Sequence, residues 1–252
     1  PRQRQRFLNA CRGKLCCGAT LPLALQLLGK AQPGRFFAGP TLALDIGGRT
    51  AWAAGHANPE ELASFLNFCG CRAVILDEAE CPPPVGWQKT CDHTIFGLAA
   101  GEQLPLPAQT EAQKALWDSL TFVEDPASGP VAENLFPDRP ARRDDFYSEL
   151  CTKRSRGKAL VWTLEQGGNI VCTVGAYALC NGQAYMACGQ TAEALRGQRV
   201  GGWLIVQMAN ALSAQGDQPV FLCSPERVHF YTQLGFHPLG TLARYESPIG
   251  KD

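Results

Sequence analysis

Leu195-Arg196-Gly197-Gln198-Arg199-Val200-Gly201-Gly202-Trp203-Leu204 is a glycine-rich turn that runs into a helix. A strand-like apolar segment, Ala184 to Cys188, precedes it. A helical pattern from about Gly202 to Gln215 follows, with Leu204, Met208, Ala211 and Leu212 on its inner face. Strand, glycine turn, helix is an order that offers backbone N–H groups and a helix N-terminus to a phosphate. It is equally the form of a plain strand-to-helix turn. A second motif, Phe230-Tyr231-Thr232-Gln233-Leu234-Gly235-Phe236, lies downstream and gives the first its meaning.

Outward from the turn, the second half of the chain reads as a regular α/β unit. Ala141 to Arg156 is predicted as a helix with Phe146, Tyr147, Leu150 and Cys151 as its apolar face. Strands are predicted at Ala159 to Glu165 and Ile170 to Leu179, joined at Gly167-Gly168-Asn169. Asn181-Gly182 is a hairpin signal into the strand at Ala184. After the glycine turn and its helix come a buried strand at Pro219 to Cys223, a short helix at Pro225 to Leu234, and a last strand or hairpin at Phe236 to Tyr245.

The first half gives one or two helices over Arg2 to Leu28, short strands at 35–37 and 41–46, and a Gly47-Gly48 turn into Arg49 to Ala54. Asn58-Pro59-Glu60-Glu61 predicts a helix start, with Asn58 as N-cap and Pro59 at the first helical position. Leu62, Phe65, Leu66 and Cys69 face inward, and Arg72 to Leu76 and Thr94 to Leu98 are strands. Leu104 to Pro140 holds six prolines around one expected helix, Thr110 to Phe122, and reads as a connection. The expected domains are therefore 1–103, a linker with a helix at 104–133, and 134–252.

Lys plus Arg and Asp plus Glu both total 23, so the net charge is zero. Nothing in that balance calls for nucleic acid or an acidic membrane as partner. No apolar run approaches the ~18 residues a membrane helix needs. Twelve cysteines, several within apolar runs and none behind a secretory leader, predict free thiols in a reducing cytoplasm. Cys69, Cys71, Cys81, Cys91 and His93 match no paired zinc-ligand spacing, and no metal is expected.

The order strand, glycine turn, helix, strand, helix, then Tyr and Leu-Gly-Phe resembles the GNAT acyltransferase superfamily over about Asn134 to Tyr245. Arg196-Gly197-Gln198-Arg199-Val200-Gly201 stands where that family has Q/R-x-x-G-x-G/A, with Arg199 in place of the middle glycine. Tyr231 with Leu234-Gly235-Phe236 matches its second signature, and Asp145 to Leu150 its acceptor-side helix. Ser224 stands where the family commonly has asparagine. The resemblance implies an α/β fold: a mixed, mostly antiparallel twisted sheet flanked by helices. The first half, whose element order dimly repeats the second, is then a degenerate GNAT-like repeat with His56 to Glu60 where the loop would be, giving a tandem chain.

The resemblance also implies chemistry. Gly197, Gly201 and Gly202, with Arg196, Gln198, Arg199 and Val200, would hold the pyrophosphate of coenzyme A at the helix start. The strand end Gly189-Gln190-Thr191 would splay from its neighbour and pair with pantetheine. A backbone N–H there, at Gly189, would polarise the thioester carbonyl. The amine attacks directly, and Tyr231 would give a proton or hydrogen bond to the leaving sulfur. Glu165, Glu193 and His229 are further candidates for a base, and Cys188 for a nucleophile that direct transfer does not need. The expected activity is acyl-CoA-dependent N-acyltransfer, acetyl-CoA in the first place, to a small-molecule or peptide amine. The alternative is a non-catalytic acyl-CoA-sensing module on the same fold, and a third reading is an interaction domain without cofactor.

Overall fold

A computed structural model describes residues 2–248. The chain forms two compact units that are not contiguous in sequence. One holds the chain up to Phe96 together with Leu222–His229 and the stretch from Pro238; the other holds Gly97–Phe221 and Phe230–His237.

The first unit begins with α1 (Arg2–Cys11) and α2 (Cys17–Leu28), followed by β1 (Phe36–Ala38), β2 (Leu42–Gly47) and β3 (Thr50–Gly55). Then come α3 (Pro59–Phe68), β4 (Ala73–Leu76) and β5 (Gln88–Gly97). β1, β2 and β3 form an antiparallel meander. β4 lies parallel to β3, with Thr50 opposite Ala73 and Trp52 opposite Ile75. Parallel neighbours need a crossover, and α3 supplies it. Its apolar face, Leu62, Ala63 and Leu66, packs on Leu44, Ala51, Ala53 and Val74. The start of α3 follows the sequence signal, for the Asn58 side chain accepts from the N–H groups of Glu60 and Glu61, each at 3.0 Å.

The second unit opens with a one-turn 3₁₀ helix, Glu111–Gln113, then α4 (Lys114–Asp118) and β6 (Thr121–Val123). Two helices, α5 (Ser128–Leu135) and α6 (Pro140–Arg154), lead to β7 (Leu160–Gln166), β8 (Asn169–Cys180) and β9 (Gln183–Thr191). After a 3₁₀ turn, Glu193–Leu195, come α7 (Val200–Ala214) and β10 (Gln218–Cys223). β6 to β9 are antiparallel neighbours in order, and β10 runs parallel to β9 with α7 as crossover. Asn181 and Gly182 both take positive φ, 55° and 73°, as a two-residue hairpin turn requires. Val131, Leu150, Ala159, Val161 and Tyr177 form one core cluster, and Leu204, Met208, Ala209 and Leu212 bury the inner side of α7. The chain ends with α8 (Val228–Gln233) and β11 (His237–Glu246).

Helix, helix, three-stranded meander, helix, parallel strand is thus written twice: α1 to β4, and α5 to β10. Four sequence expectations differ from what is found. Residues 110–122 are not one helix: the chain turns after α4, and Thr121–Val123, β-branched or aromatic throughout, pairs with Thr163–Glu165. The proline-rich stretch hides α5, because Pro130 falls in the first turn, where its missing N–H costs nothing. The last strand joins the first unit, where β11 pairs antiparallel with β4 (Ala243 opposite Leu76). Tyr147 of α6, expected inward, is exposed. Among the described residues no helix is long and apolar enough to cross a membrane.

Candidate functional site

The site is built where β9 ends. On one side, the ladder with β10 runs from Gln183 opposite Gln218 to Tyr185 opposite Val220. Met186 to Thr191 continue beyond it, so this part of β9 keeps backbone groups free of that neighbour among the described residues. On the other side, β8 and β9 change register: Gly175 faces Ala187 and Thr173 faces Gln190. Cys188 and Gly189 therefore oppose the single residue Val174, which is a β-bulge. A bulge re-aims the backbone, here at Gly189, the residue expected to present an N–H. Gln190 donates from Nε2 to the Asn134 carbonyl of α5 at 3.2 Å, tying the strand end to the helices before the sheet.

Beyond Thr191 the chain makes the turn Glu193–Leu195 and enters α7. Arg196 is exposed and its Nε donates to the Thr191 carbonyl at 3.4 Å. Arg199 is the N-cap of α7 and stands in the left-handed region, φ 63°. Among the described residues no side chain caps this helix, and the first backbone bond is from Trp203 N–H to the Arg199 carbonyl at 3.0 Å. The N–H groups of Val200, Gly201 and Gly202 precede that bond and point out of the helix start, the arrangement that favours an anion. Val200 anchors the turn in the core. A Cβ on Gly201 would lie 2.5 Å from Thr191 Oγ1, and one on Gly202 3.0 Å from Leu234 Cδ2. Both glycines are therefore set by close approach of the strand end and of the Phe230–Leu234 segment.

The Arg199 side chain has a partner on another segment. Its Nη1 donates to the Ala108 carbonyl at 3.0 Å. Ala108 belongs to a segment that lies along α7. Ser213 Oγ holds the carbonyls of Ala99 and Glu102, Asn210 exchanges two 2.8 Å bonds with the Leu104 backbone, and Gln113 reaches Gln198 at 3.4 Å. Sequence reasoning missed this strap; its signals were the polar Asn210 and Ser213 within an apolar helix. Arg199 thus fastens the strap near the turn. For Arg199→Gly the left-handed position is relieved while one hydrogen bond is lost, so stability should move by less than about 1 kcal/mol. Coenzyme A affinity should stay within about threefold, while hydrogen exchange quickens at residues 105–113. A large loss of affinity would mean the guanidinium leaves Ala108 for a phosphate.

Tyr231 lies half-buried in α8, its ring 4.6 Å from Phe221, 5.1 Å from Phe230 and 6.3 Å from Phe236. The neighbouring Phe230 ring would meet a Cβ on Gly202 at 3.8 Å, so the segment bearing Tyr231 packs beside the start of α7. Of the other candidates, Glu193 and His229 are exposed, and Glu165 is half-buried with its carboxylate 3.4 Å from Thr163 Oγ1. The Cys188 side chain lies outside the described residues. Burial pushes the Cys172 thiol up to about 11 and raises that of Cys223, which keeps both protonated and poor nucleophiles. Among the described residues no His, Cys, Asp and Glu side chains gather as a metal-ligand group.

The first unit repeats this architecture with a different helix start. β3 also outruns its parallel partner, from Ala53 to Gly55. Yet the α3 N-terminus is closed by Asn58, and Glu60 and Glu61 fill its first turn. The small cavity beside Ala53–Gly55, about 190 Å³, is lined by Asp77 and by Glu80, which pairs with Lys14 of the same lining. The satisfied start of α3, with two carboxylates in its first turn, opposes a pyrophosphate at that helix.

No family model matches the chain, and no curated protein matches it by sequence. Solved structures do match. A GCN5-related N-acetyltransferase from Kribbella flavida superposes with a TM-score of 0.62 at 16% identity, over 92% of this chain and 96% of that one. The fold is the GNAT fold. A GCN5-related N-acetyltransferase-like protein from Streptococcus suis gives a TM-score of 0.52 at 16% identity, covering 82% and 84%. A tandem GNAT protein from the clavulanic acid biosynthesis pathway gives 0.55 at 13% identity, covering 84% and 78%. The tandem GNAT neighbour agrees with the element order written twice. At these identities the likeness is one of GNAT fold, and activity has to be argued from the site.

Proposed function

We propose that the chain is an acyl-CoA-dependent N-acyltransferase, with acetyl-CoA as the expected donor and a small-molecule or peptide amine as acceptor. The observation that carries this reading is the uncapped start of α7, with Gly201 and Gly202 in close approach, directly after a bulged strand end. The N–H groups of Val200, Gly201 and Gly202 would hold the pyrophosphate of the donor by hydrogen bonds and helix dipole, with no metal needed. The freed edge of β9 at Gly189–Thr191 would pair with the pantetheine arm. An N–H at the bulge would polarise the thioester carbonyl, the kind of fixed donor that gains strength where water is excluded. Tyr231 would donate to the sulfur as it leaves. Glu165 and Glu193 remain candidates to take the proton of the amine.

The chemistry is balanced without an enzyme nucleophile. The amine nitrogen forms the new C–N bond, the C–S bond breaks, and the sulfur leaves with the electron pair and acquires a proton. The neutral overall charge favours no class of acceptor. Every cysteine whose side chain is described is a free thiol, which supports a reducing, cytoplasmic setting.

One observation favours a second reading, non-catalytic acyl-CoA binding: the Tyr231 ring is packed among three phenylalanines, as a purely structural aromatic would be. Thiol release from acetyl-CoA, measured against a panel of amines, separates the two. Catalysis predicts amine-dependent release above the background rate. Binding of acetyl-CoA with no release for any amine in the panel supports the sensing role.

A further inference from the structure

The first unit contains a cavity of its own, about 840 Å³, lined by faces of α1 and α2, the β1–β2 hairpin and the first turns of α3. Leu25, Phe36, Phe37, Leu42 and Phe65 line it, and each is only half-buried. Single exposed apolar groups are ordinary, but five around one concavity are surface that an occupant would take from water. The walls are formed in advance. Phe7 and Phe36 meet edge to face at 5.9 Å, and Phe37 and Phe65 at 5.0 Å.

The charges of the lining are asymmetric. Arg4 of α1 and Lys30 after α2 line the cavity and are exposed. Neither has an ion-pair partner among the described residues, whereas nearby Arg35 is paired with Asp45. The carboxylate in the lining is Glu61, in the first turn of α3, where the helix start already favours it. His56 holds the Glu80 carbonyl through Nδ1. Two unpaired cations beside an aromatic hollow match a ligand with one negative end and an apolar body. A phosphate-bearing ligand fits worse, because Asn58 has closed the helix start.

We propose that this cavity binds an amphipathic monocarboxylate of the fatty-acid class, its hydrocarbon body on the phenylalanine walls and its carboxylate with Arg4 and Lys30. The site is independent of the acyltransferase reading and lies wholly within the first unit.

Calorimetry of the whole chain with decanoate and with decylamine tests it. Decanoate should bind saturably at one site, and decylamine, equal in tail and opposite in charge, at least about tenfold more weakly. The double variant Arg4→Gln/Lys30→Gln, altered only at exposed positions, should weaken decanoate about tenfold and leave the melting temperature unmoved. Leu42→Trp, which fills the hollow, should abolish binding. Saturating coenzyme A should leave decanoate affinity unchanged. Equal binding of the two amphiphiles, indifference to the double variant, or displacement by coenzyme A would each overturn the proposal. The last would place the tail in the acyl-CoA site instead, so a failure here is separable from a failure of the acyltransferase reading.

Discussion

Gly201→Glu should abolish productive acyl-CoA binding, raising Kd by about a hundredfold or more. Two effects combine. The new side chain starts 2.5 Å from Thr191 Oγ1, so Thr191 must rotate aside and the longer side chain extends into the space where the donor has to approach. It also places a carboxylate in the first turn of α7, beside the N–H groups that no side chain caps. There it would satisfy the helix dipole itself and repel a pyrophosphate. The same charge stabilises a helix start, so the melting temperature should hold or rise while binding fails. That opposition makes the variant informative, for loss by misfolding would move both together. Gly201→Ala provides the control: Thr191 can rotate, and affinity should fall only severalfold. An unaltered Kd for Gly201→Glu would move the pyrophosphate elsewhere.

Tyr231→Phe should lower kcat by about a hundredfold and leave donor affinity nearly unchanged. The ring is held by Phe221, Phe230 and Phe236, and phenylalanine keeps those contacts, so only the hydroxyl is tested. A hydroxyl used only as the sulfur leaves affects turnover without affecting ground-state binding. An equal rate would assign Tyr231 to the core and remove it from the chemistry. A thioester with a better leaving thiol should narrow the gap, since such a thiolate needs less help.

The glycine turn and its helix were legible because glycine, asparagine and proline punctuate the chain locally. Asn58-Pro59 marks the start of α3, and Asn181-Gly182 marks the β8–β9 turn, each with a backbone reason that needs no distant partner. What stayed hidden depends on distant partners. The β9 bulge exists only relative to β8, since it is a mismatch of two residues against Val174. The strap rests on Asn210, whose partners at Leu104 lie 106 positions away. β6 was hidden because Thr121–Val123 follow a helical run and acquire strand form by pairing with β7. The place of β11 in the first unit follows from its pairing with β4, which no local pattern announces. At the site, the sequence identified Gly201 and Gly202 by type, but not the contacts with Thr191 and Leu234 that require them. It also left the direction of Arg199 open, and the hydrogen bond to Ala108 supplies it.

The second unit, and not the first, is proposed to hold coenzyme A at the start of α7. Electron density from crystals grown with coenzyme A tests it most directly. The account predicts the pyrophosphate on the N–H groups of Val200, Gly201 and Gly202, with the pantetheine arm along Gly189–Thr191. Density for the cofactor at Asn58 and the start of α3, or well-ordered residues 189–202 with no cofactor beside them at saturating concentration, would contradict it.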